Sequence, residues 1–543
     1  MKNIKLYLVA LVCLGLASCN DEFLDTVPKT QINDANFWNN TADLEIYNNQ
    51  LYATYFANKG FTGGGMMTED VNSDNAYAEA PTNVRLGINT ANNPGISNWS
   101  WSLVRDINQM LENTESSDIE AAARNPYIAE ARLIRALDYY DKLKLYGQLP
   151  IIDRVLTEDD ELLYATQSSR DEVMAFIKSD LDFATEHMAS TAVENRFTKA
   201  IAQSYKARIM LHEGTFRKYH GLGGEQEYLQ EAVSSAEAVI NTGQYMIDPN
   251  VSYNELFAQT TLSGNKEVIF FKNYDDALQL YHNNAALIKN ANGVELGGTK
   301  SLVNDYLLSD GLTISESQLY QGDATLEMEF ANRDLRLSQT FSLPNTYFAG
   351  DQLYLNSTPA GINVSASPSG YQLVKFFNPD QEFANWSRSF SDAPLIRYAE
   401  ILLIMVEAKA ELGTVSQADI DLSVNTLRLK AGVADLVLSE SIIEDIRRER
   451  RVELAFEGFR FDDLMRWKKG AELANPVLGV KFNEVDIADA SEFEIGTDIF
   501  LNEDGDVMSN NSYAFDESKN YYFPVPVNEL SLNPNLKQTP GWE

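Results

Sequence analysis

The strongest constraint on this chain is a series of amphipathic runs, each stopped by a glycine. Residues 127–146 (YIAEARLIRALDYYDKLKLY) place Ile128, Ala131, Ile134, Leu137 and Tyr140 at three- and four-residue spacing and end at Gly147. That is the period of one helix face, closed by the residue that best tolerates a left-handed stop. The same pattern predicts helices over 170–188, opening on Asp171 and Glu172, and over 198–213, capped by Thr198 and stopped by Gly214. Further helices are predicted over 227–241 before Gly243, 395–412 before Gly413, 417–430 near Gly432, and 440–457. Neighbouring runs are joined by short loops and carry alanines where two helices would touch. One helix pair cannot bury its own apolar stripe, so such pairs stack on one another. The spacing is irregular rather than a fixed period of about 34 residues.

Between these runs the chain changes character. Residues 60–100, 244–390 and 471–540 are rich in Gly, Asn, Ser, Asp and aromatics, with EVIFF (267–271) as the strand-like signal. Long loops inside a compact protein tend to carry function. The expectation is one cooperative body. Its helical scaffold lies mainly in 36–245 and 391–470, and its loop-rich lobe mainly in 60–100, 246–390 and 471–543.

The first residues read MKNIKLYLVALVCLGLASC. Lys2 and Lys5 precede an apolar run, Leu6 to Ala17, that is too short to span a membrane permanently. Leu16-Ala17-Ser18-Cys19 resembles a bacterial lipobox, so residues 1–18 are expected to be a removed signal peptide and Cys19 to be acylated. The other cysteine, Cys13, lies in the removed segment. A disulfide is then impossible, and stability must come from packing. The apolar run 401–406 (ILLIMV) is bracketed by Glu400 and Glu407, as suits a core helix rather than a membrane span.

With 43 basic against 79 acidic residues the formal charge is −36, which repels nucleic acid and anionic lipid. Glycine-rich GFTGGG (60–65) and GLGG (221–224) lack the Lys-Ser/Thr and helix of a phosphate loop. His212-Glu213 begins like a zinc helix, but Phe216 stands where the second histidine is needed, so no metal site is expected. The run LNEDGDVMSN (501–510) would need a calcium ligand at Phe500, and a turn is the better reading. No cofactor is expected, with a structural Ca²⁺ left open. No nucleophile elbow is present. A pair of facing carboxylates, as in a glycosidase, is a tertiary feature that the sequence does not display.

Residues 449–470 (ERRVELAFEGFRFDDLMRWKKG) sit in a region with eight basic side chains between Arg447 and Lys469. On one helix Arg450 would meet Glu453, Arg460 would meet Asp463, and Asp462 would meet Arg466. Val452, Ala455, Phe456 and Phe459 would form the opposite, apolar side. The expectation is a buried charge network tying this helix to its neighbours.

This stretch resembles the C-terminal signature of the SusD/RagB family of outer-membrane lipoproteins from Bacteroidetes. Other segments agree in order: CNDEFLDTVPKT and NFW (19–30, 36–38), AEARLIRALDYYDKLKLYGQLPII (129–152) and NRFTKAIAQSYKARIMLHEG (195–214). PLIRYAEILLIMVEAKAELG (394–413), VNTLRLKAG (424–432) and YYFPVPVNELSLNPNLKQTPGW (521–542) follow. The resemblance implies a mainly α fold of four tetratricopeptide-like helix pairs in a right-handed scaffold, plus an irregular lobe with a few short strands. It implies a non-catalytic lipoprotein of the outer membrane, anchored through Cys19, that faces the cell exterior. Such a protein captures oligosaccharide or polysaccharide and hands it to a SusC-like TonB-dependent transporter. Capture of peptides or another nutrient is the alternative; a glycoside hydrolase or a protein-only scaffold fits less well.

Glycans present apolar C–H faces with a hydroxyl rim, which aromatic planes and Asn, Asp and Arg side chains match. The aromatic and polar residues in loop-like company are therefore the ligand-binding candidates: Asp70, Asn75, Arg85, Trp99, Tyr281, Asn284, Tyr320 and Trp386. Trp101 is the weaker choice, being placed to pack at a helix entrance.

Overall fold

A computed structural model describes residues 37–61, 65–78, 80–191, 195–284, 296–343, 348–349, 352–353, 367–378, 388–487 and 490–543. The expected signal peptide (1–18), Cys19 and Trp386 lie outside the described residues.

The principal helices are α1 (Thr41–Tyr55), α2 (Ser102–Glu115), α3 (Ala121–Tyr146), α4 (Arg170–His187), α5 (Lys199–His220) and α6 (Glu225–Ile240). After the lobe come α7 (Tyr398–Glu411), α8 (Val424–Ala431), α9 (Ile442–Glu453) and α10 (Arg460–Arg466). Their ends follow local chemistry. Asn40 and Ser169 form capping boxes with Asp43 and Glu172, and Thr198 accepts from the Ile201 amide. α3 stops where Gly147 takes φ +74°. α1 packs on α2, α3 on α4, α5 on α6, and α7 on α8, giving the four expected pairs. Neighbouring pairs share one core that includes Leu44, Ile134, Met210 and Ile404, each fully buried. Each such side chain contributes about 1.5–3 kcal/mol.

Three boundaries differ from expectation. Gly214 does not end α5, which runs on to Gly221. A β-carbon at Gly214 would lie 2.8 Å from Leu229 Cγ, so this glycine serves close approach to α6 rather than termination. The run 417–430 is two helices, broken at Ser423, whose ψ is −88°. The run 440–457 ends at Glu453, because Phe456 (φ +61°) and Gly458 (φ +80°) turn the chain before α10.

The lobe has its own core, with Phe61, Tyr253, Phe257, Leu302, Phe341 and Tyr371 buried together. Short antiparallel ribbons edge it: β1 (Ala76–Ala78) with β3 (Leu296–Gly298), β2 (Val268–Lys272) with β4 (Ala393–Arg397), and β5 (Leu478–Lys481) with β6 (Asp506–Met508). The segment 267–271 supplies most of β2, as its β-branched and aromatic residues suggest.

Val452, Ala455 and Phe456 belong to the lobe core, whereas Leu454 belongs to the scaffold core. The basic stretch is therefore the seam between the two. Its ion pairs are buried, but the partners are mostly distant ones. Arg450 meets Asp463 rather than Glu453, and Arg460 meets Asp74 rather than Asp463. Arg466 holds Asp463 and Glu407 rather than Asp462, which pairs with Lys144. Glu453 is taken by Arg336 and Arg397. Each expected local pair lies within a single helix, α9 or α10, but buried partners from other segments take these charges instead.

Candidate functional site

Five of the expected ligand-binding residues are buried. Asp70 is fully buried, and its Oδ2 accepts from the Phe456 amide at 2.6 Å and from Asn75 Nδ2 at 3.3 Å. Burial pushes its carboxyl up to about 7. Asn75 Oδ1 accepts from Arg451 Nε at 2.9 Å. Arg85 donates to the Leu473 carbonyl and stacks 4.4 Å from the Tyr513 ring, at the base of a polar pocket of about 320 Å³. Trp99 packs edge-on against Trp101 and Tyr146. Asn284 Nδ2 donates to the Phe376 carbonyl at 3.0 Å. All five stand in polar, loop-like sequence, yet Asp70, Asn75, Arg85 and Asn284 each satisfy a buried group from a distant segment, and Trp99 packs into the scaffold core.

Tyr320 is half-buried under the Arg333 guanidinium, 5.8 Å away, and burial together with Glu329 pushes its phenol up to about 12. Tyr281 is the candidate placed on an open platform. Asp275 and Leu280 exchange backbone hydrogen bonds at 3.1 and 2.9 Å, closing a turn through Gln279, whose φ is +58°. Leu278 and Leu280 are 68 % and 48 % exposed on that turn. The Tyr281 hydroxyl donates to Asp276 Oδ1 at 2.7 Å and accepts from Arg388 Nη2. The Arg388 guanidinium lies 4.7 Å from the Tyr281 ring and 3.3 Å from Asp276.

The floor beneath is rigid. His282 and Ser389 exchange backbone hydrogen bonds at 2.8 and 3.0 Å, which sets the Tyr281 strand beside the Arg388 strand. His282 Nε2 donates to the Ser391 carbonyl at 3.0 Å, and its ring packs on Phe61 and Tyr274. Burial lowers this imidazole to about 4, so it is neutral at physiological pH. Asp392, three residues after Ser389, ties that strand to the segments before the turn by accepting from the Tyr274 and Leu262 amides, each at 2.9 Å. Trp386, two residues before Arg388, lies outside the described residues. Arg388 and Asp276 were missed in the sequence, where each is one charged residue among many in loop-like company.

The other motifs resolve as structure. His212 is buried with its Nδ1 2.7 Å from the Tyr140 hydroxyl, and Glu213 pairs with Arg170 and Arg217. Asn502 Oδ1 accepts from the Asp504 and Asp506 amides, making 502–506 a turn. Among the described residues, no group of three or more His, Cys, Asp or Glu side chains could hold a metal, and no helix is long and apolar enough to cross a membrane.

Four stacked helix pairs carrying a loop-built lobe, with a polar-aromatic platform on that lobe, define a class of helical-repeat binding scaffolds. The chain belongs to the SusD family, whose model matches residues 266–542. It is 23 % identical over 566 aligned positions to SusD-like protein P2 of Formosa agariphila, covering all of both chains. A SusD-like carbohydrate binding protein from Bacteroides fragilis superposes with a TM-score of 0.77 at 23 % identity, over 92 % of this chain and 100 % of the other. A second SusD-like protein from Bacteroides fragilis gives a TM-score of 0.74 at 24 % identity, over 95 % and 100 %.

Proposed function

We propose that this protein is a cell-surface glycan-binding lipoprotein that captures oligosaccharide or polysaccharide without cleaving it. It is held in the outer membrane through acylated Cys19, faces the exterior, and passes its cargo to a SusC-like TonB-dependent transporter. The observation that carries the glycan reading is the Tyr281–Arg388–Asp276 platform, joined to membership of the SusD family. The half-buried ring offers a face to sugar C–H groups, while the guanidinium and carboxylate offer donors and acceptors to hydroxyls. The carbohydrate-binding relative supports the same ligand class. Trp386 and Tyr320 are proposed as further contacts. Affinity electrophoresis across polysaccharides tests the proposal. Retardation by at least one glycan, weakened by Tyr281→Ala, is expected; retardation by none, with capture of peptides instead, overturns it.

A further inference from the structure

A crevice of about 170 Å³ lies in the seam between scaffold and lobe, walled by the end of α1, by α3 and α5, by β4 and by the turn from α9 into α10. None of the platform residues lines it. Donors gather round one ring in its wall. The Arg208 and Arg450 guanidiniums lie 5.0 and 5.2 Å from the Phe459 ring, and Arg208 lies 5.2 Å from the Tyr205 ring. Arg208 uses Nε and Nη2 on Glu400 and the Leu395 carbonyl, and Arg450 uses Nε on Asp463. Among the described residues, nothing bonds to Arg208 Nη1, to Arg450 Nη1 or to the Tyr205 hydroxyl, although Tyr205 and Arg450 are only 5 % and 3 % exposed. Burial pushes the Tyr205 phenol well above its ordinary range, so it keeps its proton and remains a donor.

The neighbouring carboxylates are already engaged. Both oxygens of Glu400 accept from Arg208, both of Asp463 from Arg450, and both of Glu457 from Arg397. Buried donors without partners are costly, and these leave room for acceptor atoms alone. A neutral hydroxyl would bring a proton that finds no free acceptor there, whereas an oxyanion brings none. The rest of the wall differs. Lys59, Asp141, Lys144 and Asp462 form a half-buried chain of alternating charge, with successive gaps of 3.3, 3.5 and 2.6 Å, where hydroxyls meet both donors and acceptors. The volume is several times the roughly 30 Å³ of one water, more than a bare ion needs.

We propose that this crevice is a second ligand site, which takes the carboxylate of a small hydroxylated acid, a sugar acid, on Arg208 and Tyr205, backed by Arg450. The hydroxyls of that acid lie along the chain from Lys59 to Asp462. Charge-assisted hydrogen bonds from a guanidinium fix the carboxylate, and the alternating charges select a polar skeleton over an apolar one. The choice of a sugar skeleton rests on the glycan reading given above; recognition of the carboxylate does not.

The test is calorimetric titration of the full mature chain with glucuronate, glucose and inorganic sulfate. Saturable heat is expected from glucuronate and none from glucose, with sulfate competing for the glucuronate site. Tyr205→Phe should weaken glucuronate at least about tenfold, the effect of losing one hydrogen bond to a charged group. Its urea midpoint should hold or rise, because no described residue bonds to that hydroxyl. Tyr281→Ala should leave the glucuronate heat in place, so that failure of this site and failure of the platform are read separately. No heat from glucuronate, equal heat from glucose, or heat from sulfate alone overturns the proposal. So does a glucuronate titration that Tyr205→Phe leaves untouched or that Tyr281→Ala abolishes.

Discussion

Replacing Arg466 by methionine removes the main counter-ion of a carboxylate with no access to water. Glu407 is fully buried, and its two oxygens accept from Arg466 Nη1 and Nη2 at 2.5 and 2.8 Å; the Trp467 indole donates to Oε1 at 2.8 Å. Burial alone would push this carboxyl up, but Arg466 more than reverses that and holds it at about 2, below its ordinary 4.5. The pair's contribution is therefore present above about pH 4.5 and is lost as pH falls toward 2. In Arg466→Met the indole cannot balance a full charge, and the expected loss at neutral pH is about 3–5 kcal/mol. Asp463 keeps Arg450 as partner at 2.9 Å, so the loss centres on Glu407. Urea unfolding followed by tryptophan fluorescence reads it, at neutral pH and again near pH 5. The deficit should shrink at the lower pH, because the unpaired carboxyl now takes up a proton. Arg466→Met with Glu407→Leu should recover most of the loss, since two apolar side chains leave no buried charge. A loss below about 1 kcal/mol, typical of an exposed pair, or a double variant no more stable than the single one, would refute the reasoning.

Tyr281→Ala should weaken glycan binding with unchanged stability, whereas Asn284→Ala should lower stability by about 1–3 kcal/mol through the orphaned Phe376 carbonyl; calorimetric titration and urea midpoints separate the two. Burial lifts the Asp70 carboxyl from 3.8 to about 7, so the folded state binds an extra proton between those values and stability falls as pH rises through that window. Asp70→Asn should flatten that slope, as measured by unfolding midpoints between about pH 4 and 7. Gly214→Ala forces a β-carbon to 2.8 Å from Leu229 Cγ and should cost about 1–3 kcal/mol, read from urea midpoints.

The scaffold was legible because helix periodicity and glycine stops are local. Runs such as 127–146 and 170–188 declare their buried face without reference to any other segment. Gly214 shows the limit: the same residue type that ends α3 at Gly147 here admits a neighbouring helix, and only α6 distinguishes the two. The basic stretch was legible as a brace but not in its pairings, which join Arg460 to Asp74 and Arg466 to Glu407 across hundreds or tens of positions. The site was less legible for the same reason. Asp70, Asn75 and Asn284 carry the chemistry of sugar recognition and also that of buried backbone satisfaction. What selects between the roles is a distant partner, Phe456, Arg451 or Phe376, that spacing does not disclose.

The most direct measurement is a calorimetric titration of the mature protein against neutral oligosaccharides, with reducing ends assayed in the same samples. A protein that grips sugar on the Tyr281 platform and leaves it intact gives saturable heat for at least one glycan, diminished in Tyr281→Ala, and no new reducing ends. Steady release of reducing ends, or saturable heat that Tyr281→Ala leaves untouched, would contradict it.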